Sequence, residues 1–295
     1  MKTLIRDIVR PLRRHPPLFR AIRAVFQPGR DIYRHLHFIG QFTVNVSDAA
    51  SFKINHFGYQ VENELFWTKF GDGWEGQALR IWCALAADAR FIADVGANTG
   101  VYSLAAAATN PKAKVAALEP VPRIFERACA NLKLNSFDIL PLQIAASDTD
   151  GEAVLFDDAS EHNYSASLDA TMLAGSNIIR IPVRAARLDT LFPEIGWPRI
   201  DLLKIDVEKH EPAVLAGMTE SLSRDRPTLL IEILEPNIGE AVGARLRGLG
   251  YRAFAIAEEA GLIETTQLFH PEHRNFLLCA SDKWDRLEPA VRGCP

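Results

Sequence analysis

Residues 91–109 read Phe91-Ile92-Ala93-Asp94-Val95-Gly96-Ala97-Asn98-Thr99-Gly100-Val101-Tyr102-Ser103-Leu104-Ala105-Ala106-Ala107-Ala108-Thr109. The apolar run Phe91–Val95 predicts a buried strand, residues 96–100 a glycine-containing turn, and Val101–Thr109 a helix. The same alternation extends outward. A helix over Gly76–Ala87 precedes this unit. Strand Lys114–Leu118, helix Val121–Leu134 and strand Ile139–Ile144 follow it. After a polar excursion through 148–176 come strands Ile178–Val183 and Asp201–Ile205, helix Pro212–Leu222, strand Thr228–Ile233, helix Ile238–Leu249, and strands Tyr251–Ile256 and Phe276–Ala280. Repeated β-α units predict an α/β fold with a doubly wound, mostly parallel sheet. Ligands of such sheets lie beyond the carboxyl ends of the strands, at the switch point, so the residues just after each strand are the candidates for chemistry.

Those residues form a pattern. The first strand runs into D-x-G-x-x-x-G (Asp94, Gly96, Gly100) rather than the G-x-G-x-x-G of dinucleotide sites. Glycines let the backbone turn tightly and approach a ligand, and the turn residues Ala97 and Asn98 come with them. Asp94 would repel a pyrophosphate but suits a positively charged group such as an α-amino group. The second strand ends at Glu119, about 20 residues beyond the turn, where a carboxylate can accept hydrogen bonds from ribose hydroxyls. The third leads to Ala146-Ser147-Asp148, small and polar residues fit to flank a base ring. A nucleoside carrying an amino-acid tail meets all three ends, and S-adenosylmethionine is such a molecule. The bland alternatives are an ordinary glycine turn and, for Asp148, a turn residue before Gly151.

The chain has 295 residues, 48% hydrophobic and 24% charged, an ordinary globular composition that excludes disordered and fibrous classes. The net charge of −4 is unevenly spread. Residues 1–30 hold eight Lys/Arg and one acid, Asp7, for +7, which leaves −11 for the rest. An acidic body disfavours nucleic acid as a partner. No apolar run reaches the roughly 20 residues of a membrane span, and no signal-peptide core is present. The four cysteines (Cys83, Cys129, Cys279, Cys294) lack ligand spacing, so reduced thiols in a cytoplasmic protein are expected. Four segments result: a basic helical arm over 1–37, a small β-rich cap over 38–75, a cofactor domain over 76–282 and a tail over 283–295. The arm has apolar residues at helical spacing, broken by Pro11, Pro16, Pro17 and Pro28. It is read as packed on the body or on a second subunit, with a membrane-surface contact as the alternative. In the cap, Phe42, Val44 and Val46, then Phe52 and Ile54, then Phe57, Tyr59 and Val61 alternate as short strands.

The motifs resemble FkbM-type methyltransferases. Asp94–Gly100, Glu119-Pro120, Ala146-Ser147-Asp148, Leu188-Asp189, Lys204-Ile205-Asp206-Val207-Glu208-Lys209-His210-Glu211 and Pro227–Ile233 occur in that family's order, and Glu64–Glu75 is similar to its lead-in. The resemblance covers roughly residues 40–280. It implies the class I methyltransferase (Rossmann-like) sheet of seven strands with the last antiparallel, S-adenosylmethionine as cofactor, and a hydroxyl acceptor on a sugar, glycan or secondary metabolite. One departure stands out. The family usually has Gly where this chain has Lys209, a position where φ > 0 or close approach would reshape the loop.

For catalysis, His210 or Glu208 is the expected base and Asp206 the best-placed acid, because it terminates a buried strand; Asp206 is also expected at the cofactor. Glu208 and Glu211 have a bland reading as first-turn acids of the next helix. Glu232 and the excursion residues Asn163 and Ser165 are expected at the acceptor. Asp206 with Glu232 would offer oxygen ligands to Mg²⁺, although a metal-free site is preferred. His273 and Asn275 are read as turn residues. Two other functions compete. One is an NAD(P)-dependent oxidoreductase, disfavoured by the missing third glycine and the absence of a Tyr-x-x-x-Lys pair. The other is a membrane-recruited scaffold without turnover.

Overall fold

The structure is a computed structural model that describes residues 12–158 and 178–293. Among the described residues the arm carries two short helices, α1 (Pro16–Val25) and α2 (Arg30–Tyr33). The antiparallel pair β1 (Gly40–Asn45) and β2 (Ser51–His56) follows, with Phe42 and Val44 facing Ile54 and Phe52 across the ladder. The expected third alternating stretch is different. From Gln60 the chain forms helix α3 (Gln60–Trp67), which buries Leu65, Phe66 and Trp67. Its Val61-x-x-x-Leu65 spacing closes one helical turn, and that period overrides the short alternation Phe57-Tyr59-Val61.

The cofactor region carries helix α4 (Gly76–Ala86), strand β3 (Phe91–Val95), α5 (Val101–Thr109), β4 (Lys114–Leu118), α6 (Pro122–Leu132), β5 (Ile139–Leu142), β6 (Ile144–Ala146), β7 (Gly151–Asp158), β8 (Ile178–Ala186), α7 (Leu188–Glu194), β9 (Leu202–Ile205), α8 (Glu211–Ala216), α9 (Thr219–Asp225), β10 (Thr228–Glu232), α10 (Pro236–Leu246), β11 (Tyr251–Ala257), β12 (Gly261–Thr265), β13 (Asn275–Ala280) and α11 (Ser281–Arg292). The main sheet runs β12-β11-β13-β10-β9-β3-β4-β5. It has eight strands where seven were expected. The extra one, β12, is a hairpin partner added to β11 at the sheet edge, after a turn in which Gly261 has φ +73°. β13 is antiparallel to both β10 and β11. The run expected as one strand over Ile139–Ile144 breaks at Gln143. β5 joins the main sheet, whereas β6 joins β8 and β7 in a separate three-stranded sheet. The helix expected over Pro212–Leu222 is two helices that part at Gly217-Met218; a Cβ on Gly217 would lie 1.9 Å from the Ser147 carbonyl oxygen. Residues 281–292, within and beyond the expected tail, are helical.

Period two decides which residues share a face. Ile92, Val115, Ala117, Leu202 and Leu230 pack under α4, α5, α11, the arm and the cap. Their neighbours Ala93, Val95, Ala116, Leu118, Leu203, Ile205, Leu229 and Ile231 pack under α7–α10. A sheet covered on both faces therefore reads as continuous apolar strands. Asp94 follows Ile92, and Lys204 follows Leu202, on the arm-and-cap face. The ladder pairs Asp94 with Lys204, and Lys204 with Leu230. Two further residues along that face lie Asp206 and Glu232. Register alone thus gathers three acids around one lysine at the carboxyl ends of β3, β9 and β10.

Candidate active site

The Gly-rich turn is set by steric closeness. Gly96 has φ +82°, and a Cβ there would lie 1.8 Å from the Asp206 carbonyl oxygen. The turn after β3 therefore crosses the turn after β9 with no room between them. Gly96→Ala is expected to lower stability by at least about 2 kcal/mol, through the left-handed backbone and the clash. Thermal unfolding measures this, and binding of S-adenosylhomocysteine should be lost at the same time. Asn98 (φ +50°) and Gly100 (φ +87°) complete the left-handed positions. Asn131, fully buried, donates to the Thr99 carbonyl (2.8 Å) and accepts from the Asn55 N–H (2.9 Å), which ties the turn to β2.

Asp94 is fully buried. Its Oδ2 accepts from the Ser103 N–H (3.0 Å) and hydroxyl (2.7 Å), while Oδ1 is buried with no hydrogen-bond partner. Burial pushes its carboxyl above the usual range, against the pull of Lys204. Lys204 is 4% exposed in its side chain, donates to Asp206 Oδ2 (2.7 Å) and lies 4.5 Å from the centre of the Tyr102 ring. Burial alone would lower its pKa, but Asp206, Asp94 and Glu75 more than reverse this and hold it charged. Glu75, the residue before α4, sits in the left-handed region (φ +47°) and accepts from the Tyr102 hydroxyl (2.7 Å). Burial raises its pKa first, with Lys204 opposing. Glu232 is pushed to about 9, first by burial and then by Asp206 and Glu75. Four carboxyl groups thus share one ammonium, an arrangement that favours an added cation or retained protons.

A cavity of about 240 Å³ opens beside this cluster, lined among others by Gly96, Asn98, Glu119, Ala146, Asp206, Glu208, His210 and Glu232. Glu119 accepts from the Asn98 N–H through Oε2 (3.0 Å) and from the Val121 N–H through Oε1 (2.9 Å). Burial raises it to about 7. Each of its oxygens keeps a lone pair for a further donor. The remaining expected residues Asp94, Ala97, Gly100, Ser147 and Asp148 are not on the cavity lining; Asp94 and Ala97 adjoin the lining residues Val95 and Gly96 in the chain, and Ser147 bonds the lining residue His210. Asn163 and Ser165 lie outside the described residues. Sequence reasoning left Glu75, Tyr102 and the hydrophobic wall of Val61, Trp74, Val121 and Leu155 without a role, and quoted Lys204 without assigning it one. A charged residue inside the all-apolar strand Leu202-Leu203-Lys204-Ile205 was the available signal.

The turn 206–211 is strained. Glu208 has φ +53° and Lys209 φ +73°, so Lys209 adopts a left-handed backbone of the kind that favours Gly, at a cost of about 1–2 kcal/mol. Its ammonium pairs with Glu235. Glu211 is 1% exposed and turns back on the loop, accepting from the N–H groups of Val207 (3.3 Å) and Lys209 (3.2 Å). Burial raises it to about 7. It is therefore a loop clamp inside the fold, beyond the first-turn role of its bland reading.

His210 Nε2 lies 3.0 Å from Ser147 Oγ, and that hydroxyl donates to Asp148 Oδ1 (3.2 Å). A hydroxyl that donates to Asp148 can accept from His210 Nε2, the tautomer that would leave Nδ1 to act as a base. Burial holds the His210 pKa below its ordinary value, against a smaller upward pull from Asp148. The motif residue Asp189 does different work. It accepts from the N–H groups of Glu220 (2.9 Å) and Ser221 (2.8 Å), capping α9 from outside. Asp189→Ala is expected to cost about 1–2 kcal/mol in urea unfolding, with S-adenosylhomocysteine affinity unchanged.

These residues suit S-adenosylmethionine. The orphaned Asp94 oxygen and the acid cluster match its cationic groups, Glu119 its ribose, and the bare turn at Gly96 a closely approaching ligand. The metal alternative fits less well. Lys204 already holds one Asp206 oxygen, and among the described residues the group of three side chains close enough to share an ion is His270, Glu272 and His273, which includes neither Asp206 nor Glu232. There the His270 Nδ1 already accepts the Glu272 and His273 N–H groups.

Strand order, the antiparallel β13 and a cofactor cavity at the carboxyl ends define a class I methyltransferase fold. The Methyltransferase FkbM domain matches residues 94–277, more than half of the chain. The chain belongs to the FkbM family of S-adenosylmethionine-dependent methyltransferases. It is 31% identical to 31-O-demethyl-FK506 methyltransferase FkbM of Streptomyces tacrolimicus, over 59% of this chain and 76% of that protein. It is 30% identical to hexuronic acid methyltransferase AglP of Haloferax volcanii, over 44% of this chain and 50% of that one. A crystal structure of methyltransferase FkbM from Methylobacillus flagellatus superposes with a TM-score of 0.44 at 15% identity, covering 65% of this chain and 44% of that one. The chain spans less than two thirds of several of the curated relatives it matches.

Proposed function

We propose that the chain transfers a methyl group from S-adenosylmethionine to a hydroxyl of a sugar, glycan or secondary metabolite. The observation that carries this is His210 on the wall of the cavity, 3.0 Å from Ser147 Oγ, with burial holding its pKa below the ordinary value. When bound, the cofactor supplies an electrophilic methyl on a sulfonium. Asp94, Asp206 and Glu232 would neutralise its positive charges, and Glu119 would fix its ribose. His210 would take the acceptor's proton and pass positive charge along the Ser147–Asp148 chain. Val61, Trp74 and Leu155 would keep water from the cavity and press the acceptor ring into line; such positioning supplies about 7–11 kcal/mol of barrier lowering. Relatives named for a 31-O position and for a hexuronic acid support an oxygen acceptor. Asn163 and Ser165 are proposed at the acceptor on their place in the excursion between β7 and β8. An oxidoreductase finds no such support, because the domain and the relatives reported are those of methyltransferases. Transfer of labelled methyl from the cofactor into extracts of the producing cell tests the proposal. A methoxy-bearing glycan or small molecule is expected, and methylated protein or RNA as the main product would overturn it.

A further inference from the structure

The arm packs on the body, yet it leaves several of its apolar residues exposed. Phe19, Tyr33 and Phe38 are buried in the core shared with α3. Arg30 pairs with Glu64, Asn63 donates to the Tyr33 carbonyl and Trp67 to the Leu36 carbonyl, so the arm is bolted to the helix that lends Val61 to the cavity. On its outer side, Leu18 and Val25 share one stripe of α1, seven residues apart. Val25 is 87% exposed, and Phe26, just beyond the helix, 51%. Of the nine large hydrophobic residues exposed among the described residues, five (Leu18, Val25, Phe26, Ile32, Ile39) lie between positions 18 and 39. Over residues 12–36 the chain has six arginines and one acid, Asp31. Arg14 and Arg20 are exposed on this segment.

We infer that the arm is a docking surface for an anionic lipid bilayer. Val25 and Phe26 would enter the boundary between headgroups and acyl chains, and the arginines would meet anionic headgroups. An exposed apolar helix tip on a net-positive segment fits an interface of that chemistry, with Arg14 exposed on that segment, while Arg20, Arg23 and Arg30 also bond the Gln41 carbonyl, the Thr68 carbonyl and Glu64. A second arm fits poorly, because it would set arginines against arginines. No described helix is long and apolar enough to cross a membrane, so the contact is one of surface binding.

The test is co-sedimentation of the full chain with phosphatidylcholine vesicles with and without phosphatidylglycerol. Binding to the anionic vesicles alone, weakened by salt, is expected. Val25→Asp with Phe26→Asp should lower the partition coefficient at least about tenfold, and Arg14→Glu with Arg20→Glu about fivefold per arginine. All four residues are exposed and only Arg20 gives up a bond to the body, to the Gln41 carbonyl, so unchanged thermal unfolding and S-adenosylhomocysteine binding would show an intact fold. No binding, equal binding to neutral vesicles, or binding indifferent to Val25→Asp/Phe26→Asp would each overturn the inference. So would a self-associated form that Val25→Asp disperses without any vesicle effect.

Discussion

His210→Ala is expected to lower kcat about 10²–10⁴-fold while S-adenosylhomocysteine affinity stays near wild type. The imidazole contributes only when a hydroxyl must lose its proton, so binding of a product cofactor should not sense its loss. The sign of the pH dependence follows from burial. Because the folded enzyme holds His210 below its ordinary value of 6.5, the base form is complete at neutral pH, and the acid limb of kcat should fall below pH 6.5. In the His210→Ala variant that limb should vanish. Ser147→Ala releases Nε2 from its acceptor and should reduce kcat by a smaller factor, through loss of tautomer control. Initial rates across pH with labelled cofactor measure all three. Full turnover in His210→Ala combined with a collapse in Glu208→Gln would move the base to Glu208, the other cavity-lining candidate.

Lys204→Met is expected to destabilise the fold by about 3–5 kcal/mol near neutral pH, since it leaves buried carboxyls without their shared cation. The loss should depend on pH in a defined direction. Glu232 titrates near 9 in the folded chain, well above its ordinary 4.5, and Asp94 and Glu75 are also raised. A raised carboxyl contributes stability that is complete below its unfolded pKa and is lost as pH rises through its folded pKa. Stability from this cluster should therefore decline between about pH 4.5 and 9, more steeply in Lys204→Met than in wild type. Urea unfolding at pH 5.5, 7 and 8.5 reads this out. A variant as stable as wild type at the highest pH would mean the lysine does not hold the acids together.

The strand-end part of the candidate site was legible because strand ends carry their chemistry in linear order. Asp94-x-Gly96, Glu119 and Asp206 each close an apolar strand, and the topology brings such ends to one edge whatever the loops do. Lys204 and Glu75 were not legible as partners. Their meeting depends on ladder register and on a left-handed residue before α4, and neither has a local signature. The strand β12 escaped notice because Gly261–Thr265 is short and half-exposed at the sheet edge, where alternation is weak. The strand expected over Phe57-Tyr59-Val61 does not form, and Val61 opens the first turn of α3; three apolar residues two apart are too short a run to fix a period against the Val61-x-x-x-Leu65 spacing that follows. Lys209 shows the opposite case. The substitution raised doubt about the loop, and the backbone keeps the left-handed conformation despite it.

The acidic cavity at the strand ends is proposed to receive the cationic cofactor, and calorimetric titration of S-adenosylmethionine into the full chain near pH 7, in two buffers of different ionisation enthalpy, puts this to the test. Glu232 holds its proton at that pH, and a cation seated beside it should drive the proton off. The prediction is saturable binding at one site with net proton release, reduced in Glu232→Gln. Absence of saturable heat, or binding with net proton uptake, would contradict it.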